Sequence, residues 1–104
     1  MKQILLLCAA GMSTSLLVTK MRQVASDKNL QVEIEADSVS NLDKKLKEKE
    51  IDVILLGPQV GFMKKDVENK VKQYDIPVAL INMQDYGMMN GEKVLLDGIK
   101  NIKE

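Results

Sequence analysis

The chain has 104 residues, 45% of them hydrophobic and 29% charged, the make-up of one globular domain able to bury a core without metal or disulfide. Fifteen Lys and Arg balance fifteen Asp and Glu, so no positive excess is present to engage a nucleic-acid backbone, and nucleic acid is not an expected partner. One cysteine and no histidine exclude a CxxC redox pair, an intramolecular disulfide, a Cys/His zinc site, and any step that needs a histidine from this chain.

The first apolar segment, Gln3 to Leu7, reads as a buried strand ending at Cys8. The run CAAGMSTS then leads into a helix whose apolar residues are Leu16, Leu17, Met21 and Val24. A second strand, Val32 to Ala36, precedes a helix built on Leu42 and Leu46 that Ser40 can cap, with Asp43 to Glu50 as its solvated charged face. The third strand, Val53 to Leu56, is ended by Gly57-Pro58, and Val60, Met63, Val67 and Val71 mark the next helix. Pro77 opens a fourth strand, Val78 to Ile81; Asn82 to Gly91 is a loop that turns at Asn90-Gly91, and Val94, Leu95, Ile99 and Ile102 mark the last helix. Met21, Met63 and Met83 are expected in the core, whereas Met12, Met88 and Met89 are expected near the functional edge as an adaptable docking surface.

Strands alternating with helices require crossover connections, and right-handed crossovers place helices on both faces of a parallel sheet. The expected fold is α/β: an open four-stranded parallel sheet with helices on both faces, a three-layer sandwich formed by a single domain over residues 1–104. The longest apolar runs are too short to cross a bilayer and the N-terminus lacks the regions of a signal peptide, so a cytoplasmic protein without membrane insertion is expected. A monomer is the default for a small domain that must expose one face.

In such sheets ligands bind outside the carboxyl ends of the strands. Three loops therefore matter: Cys8 to Ser15, Gly57 to Gly61, and Asn82 to Gly91. The first has its amides at the positive end of a helix dipole, small residues Ala9, Ala10 and Gly11 that let an oxyanion approach the backbone, and hydroxyls from Ser13, Thr14 and Ser15. What binds an anion there also favours a thiolate, the nucleophilic form of cysteine, and Cys8 is the best nucleophile in the chain. A buried cysteine at a strand end is by itself an ordinary core residue; the small and hydroxyl residues after it turn the reading toward chemistry.

CAAGMSTSLLVTKMR, followed by LLGPQVGFM and DYGMMNG, resembles the IIB component of the cellobiose/lactose class of the phosphoenolpyruvate-dependent sugar phosphotransferase system, over nearly the whole chain. The resemblance implies that Cys8 accepts a phosphoryl group from a phosphohistidine of a IIA partner and passes it to a β-linked sugar of cellobiose or chitobiose type held by a membrane IIC component. Ala9, Ala10, Gly11, Met12, Ser13, Thr14 and Ser15 would form the phosphate cradle; Gln59 and Tyr86 would support that loop or a partner, and no cofactor or metal is implied. Where the family often carries an acid near the end of the fourth strand, this chain has Asn82, and no catalytic role is carried over to it.

The expected fold is also similar to that of low-molecular-weight tyrosine phosphatases, whose signature is C-x5-R-[ST]. Counting from Cys8 puts Thr14 at the arginine position and Ser15 at the next. A hydroxyl cannot reproduce the bidentate grip of arginine on a transferring phosphoryl group, so a carrier is favoured over a hydrolase. Asp85 is the carboxylate to watch as a general acid, and a phosphatase or a non-catalytic anion-binding module stays open as an alternative. No G-x-G-x-x-G or G-x4-G-K-[ST] motif occurs, which argues against nucleotide binding.

Overall fold

A computed structural model describes residues 1–8 and 12–102. In chain order it contains β1 (Lys2–Cys8), α1 (Met12–Asp27), β2 (Val32–Ser38), α2 (Leu42–Glu48), β3 (Val53–Leu56), α3 (Lys64–Val71), β4 (Val78–Leu80), α4 (Met83–Gly87) and α5 (Gly91–Lys100), with short 3-10 turns before α2, before α3 and after α3. The four strands are parallel in the order β2-β1-β3-β4, as the crossover argument requires.

Alternation along β1 explains the layers. Ile4 and Leu6 point to one face, where Leu17, Val18, Met21 and Ala25 of α1 pack with Val94 and Leu95 of α5. Leu5 and Leu7 point to the other, against Leu42 and Leu46 of α2 and Val67 and Val71 of α3. Because β1 is central and covered on both faces, its run of leucines is apolar at every position, unlike a half-exposed strand.

Several local expectations need correction. Leu16 and Leu17 lie about 100° apart on a helix, so only one can face the sheet; Leu17 is fully buried and Leu16 is exposed. Met83 is exposed rather than core, because it is the first residue of α4, a short helix inside the segment expected as a loop. Asn82 starts that helix: its Oδ1 accepts from the N–H groups of Gln84 at 2.9 Å and Asp85 at 3.1 Å. Ser40 does not cap α2; it lies inside the preceding 3-10 turn, its hydroxyl 2.7 Å from that of Ser38, and Asn41 takes the cap position.

The charge run of α2 is not wholly solvated either. Lys45 and Lys49 turn back to the sheet, placing their ammonium groups 3.4 and 2.6 Å from Glu35 of β2. The hydrogen bond from Lys49 holds the Glu35 carboxyl below its ordinary value against the opposing push of burial, and Lys45 adds to it. At Asp37 burial pushes the carboxyl up, but the Asn41 amide at 2.7 Å, the Ser38 N–H at 2.8 Å and Lys45 together take it lower than usual.

Both carboxyls are thus lower in the folded chain than their unfolded references of 4.5 for Glu35 and 3.8 for Asp37. Their contribution is present above those values and is lost as the pH falls through the lower folded ones. Chemical unfolding followed from neutral pH to about pH 3 should show stability declining on acidification. Glu35→Gln should lower stability near neutrality and flatten the decline; an unchanged acid slope would contradict this assignment.

Candidate functional site

β1 and β3 are adjacent, yet the chain leaves β1 for α1 on one face of the sheet and leaves β3 for α3 on the other. A crevice therefore opens between their carboxyl ends, the place where α/β sheets bind ligands. Cys8 is the last residue of β1, and Gly57 follows β3 directly beside it.

The Gly57 N–H donates to the Leu7 carbonyl at 2.9 Å and extends the β1–β3 ladder past the last strand residue. A Cβ on Gly57 would stand 3.7 Å from the Cys8 Cβ, 3.5 Å from the Leu7 oxygen and 3.1 Å from Oε1 of Gln59. Gly57 has an ordinary extended backbone, φ −64° and ψ 152°, so its contribution is space and not conformational freedom. Pro58 then starts the 3-10 turn that turns the chain away.

On the opposite flank Cys8 is registered with Ser38, and its thiol donates to the Asp37 carbonyl at 3.8 Å. Cys8 is 4% exposed, so any group that reacts with its sulfur must enter the crevice to meet it. α1 begins at Met12, and no carboxylate occupies its first turn to compete for the N–H groups at its positive end. A strand-end thiol, a glycine-lined neighbouring strand end and a long helix starting close by in sequence together suit nucleophilic attack on an anionic group.

The structure brings Gln59 to this crevice: it is exposed, with its side-chain oxygen against Gly57. Ser15 is exposed in the first turn of α1. Ala9, Ala10 and Gly11 lie outside the described residues, as do the side chains of Met12, Ser13 and Thr14. Tyr86 is buried with Ile81, Val94 and Leu95 on the α1/α5 side of the sheet.

Asp85 is half-buried and lines a small pocket of about 40 Å³ with Asn82, Asp97 and Asn101, of which Cys8 is not a part. Among the described residues no group of three His, Cys, Asp or Glu side chains could hold a metal ion, and no helix is long and apolar enough to cross a membrane. Sequence reasoning missed the Asp37 carbonyl, which only strand register reveals, since Asp37 is far from Cys8 in the chain. It also missed α4, for which an asparagine cap at Asn82 was the available signal.

Residues 3–97 match the family model described as "PTS system, Lactose/Cellobiose specific IIB subunit". The chain is 52% identical over 97 residues to the cellobiose-specific EIIB component of Lactococcus lactis subsp. lactis, covering 90% of each chain. It is 50% identical over 97 residues, again covering 90% of each, to the galactose-specific EIIB component of Lactococcus lactis subsp. cremoris. The solution structure of the cellobiose-specific phosphotransferase IIB component from Borrelia burgdorferi superposes with a TM-score of 0.78 at 44% identity, over 97% of this chain and 91% of that one. The four-stranded parallel sheet of this chain, its helices on both faces and the near full-length match all agree: the chain belongs to the lactose/cellobiose-specific IIB subunit family of the sugar phosphotransferase system, and it is a phosphotransferase component.

Proposed function

We propose that Cys8 is the phosphoryl acceptor, taking the group from a phosphohistidine of a IIA partner and passing it to a β-linked disaccharide, of cellobiose or chitobiose type, bound by a membrane IIC component. What supports this reading is the position of the chain's one thiol at the end of β1, in the crevice beside Gly57 and shortly before α1. The setting of such a carrier is the cytoplasm.

In the first step the Cys8 sulfur, its thiol proton released, attacks phosphorus in line, the S–P bond forms, the N–P bond breaks, and the imidazole leaves with the electron pair and takes up a proton. In the second the sugar hydroxyl attacks, its proton is released, the O–P bond forms, and the thiolate is expelled. Catalysis here is positioning plus stabilisation of charge on the transferring oxygens, and the backbone N–H groups after Cys8 with the hydroxyls of Ser13, Thr14 and Ser15 are assigned to that task. Without an arginine at Thr14 the site holds a phosphoryl group but gives little help to hydrolysis.

Turnover measurements separate carrier from phosphatase. The carrier reading predicts Cys8-dependent transfer from phosphorylated IIA with negligible hydrolysis of an aryl phosphate. Rapid aryl-phosphate turnover independent of IIA would replace it with a phosphatase.

Around the same rim Phe62, Leu80, Met83 and Met88 are exposed, on the turn after β3, the end of β4 and the two ends of α4. Met89, expected with them, is half-buried against the core. We assign the exposed set to the IIA contact, because apolar and methionine side chains form adaptable interface cores and a transient partner needs only a small one. Phe62→Ser should raise the KM for phosphorylated IIA about tenfold or more with an unchanged unfolding midpoint. An unchanged KM would remove Phe62 from that contact.

A further inference from the structure

β2 is an edge strand, and its hydrogen-bonding pattern fixes which groups face outward. The Lys2 N–H donates to the Gln31 carbonyl and Cys8 lies against the Asp37 carbonyl, so the odd-numbered residues of β2 turn their backbone groups toward β1. The N–H and C=O groups of Val32, Ile34, Ala36 and Ser38 therefore face away from the sheet. Such a row is a template on which another strand can pair.

Two side chains occupy that row. Arg22 of α1 reaches across to the Ile34 carbonyl with both Nε, at 3.1 Å, and Nη2, at 2.6 Å. Asp37 folds its Oδ1 onto the outward N–H of Ser38 at 2.8 Å. The space alongside is a groove of about 480 Å³ lined in part by Arg22, Ser26, Glu33, Ile34, Glu35 and Lys49. Both side chains thus saturate groups that an incoming strand would use, and the guanidinium lies in its path.

We infer that the outer edge of β2 is a strand-pairing surface held closed by Arg22 and Asp37, and that the occupant they exclude is β2 of a second copy of this chain. An antiparallel pairing about a two-fold axis at Ile34 sets Val32 opposite Ala36 and matches outward donors to outward acceptors. It also sets Glu33 opposite Glu35 of the other copy. The Glu35 charge is offset by Lys45 and Lys49, so the repulsion is a further but partial obstacle. Gln3 of β1 donates from Nε2 to Glu33 at 2.6 Å and draws that carboxylate inward, so it too repels only in part. Arg22 is the central obstacle, because it covers the carbonyl at the two-fold position.

The test compares the unsubstituted chain with Arg22→Ala/Glu33→Thr by sedimentation over a wide concentration range, with amide hydrogen exchange on the same samples. The double variant should self-associate at least about tenfold more tightly than the unsubstituted chain, and exchange at the Ile34 and Ala36 amides should slow by about tenfold or more as the dimer forms. Should the double variant lose its fold, Arg22→Met, which keeps the aliphatic stem over the groove, carries the same expected results. A folded variant that self-associates no more tightly than the unsubstituted chain overturns the inference. So does self-association that leaves the Ile34 and Ala36 amides exchanging as before, since the contact would then lie elsewhere.

Discussion

Cys8→Ser is expected to abolish phosphoryl acceptance while leaving the fold nearly untouched. The side chain is buried at the end of the central strand, and a serine hydroxyl is smaller than the thiol and can donate to the same Asp37 carbonyl. The stability change should therefore stay within about 1 kcal/mol. Chemistry is affected far more, because a neutral hydroxyl is a much weaker nucleophile than a thiolate and the chain has no histidine to activate it. The rate of transfer from phosphorylated IIA should fall by roughly 10³-fold or more, the scale on which removal of a covalent nucleophile is felt. A serine variant that accepts phosphoryl within tenfold of the parent rate would show that the sulfur is not the acceptor.

The second large effect lies away from the site, where α5 meets α1. A Cβ on Gly91, the first residue of α5, would stand 2.9 Å from the backbone carbon and the Cβ of Lys20 and 2.9 Å from the backbone nitrogen of Met21. Two of those three atoms are backbone, so relief requires the helices to part and the packing of Leu17, Met21, Val94 and Leu95 to loosen. Gly91→Ala should cost about 2–3 kcal/mol, which for a domain of this size lowers the thermal midpoint by roughly 10–20 °C. Gly87 is the internal control. A Cβ there meets nothing within 4 Å, so Gly87→Ala should be neutral or stabilising by up to about 1 kcal/mol, since alanine is the better helix former. Equal effects at both positions would contradict the close approach of α1 and α5 at Gly91.

What the sequence disclosed follows from which physical signals are local. The leucine run before Cys8 announced a buried central strand, and the spacing of Leu42 with Leu46 and of Val67 with Val71 announced helices, because burial leaves a period. The position of Cys8 was legible for the same reason: strand and helix signals met around it. Leu16 was misplaced because two adjacent apolar residues in a helix look alike until tertiary packing selects one. α4 has five residues, too few to show a period, and its first residue, Met83, looked like core only while no helix start was placed there. The lysines of α2 looked solvated because a charge run does not reveal that β2 carries Glu35 and Asp37 within reach. The neighbours of Cys8 from other strands, Gly57 and the Asp37 carbonyl, depend on strand order and register, which no local pattern encodes.

The most direct test of the account is intact-protein and peptide mass spectrometry after incubation with phosphoenolpyruvate, the general phosphotransferase proteins and a cognate IIA. The account predicts a gain of one phosphoryl mass that maps to the peptide containing Cys8 and sits on that residue. A phosphoryl group on Ser13, Thr14 or Ser15, or no gain while IIA is itself phosphorylated, would contradict it.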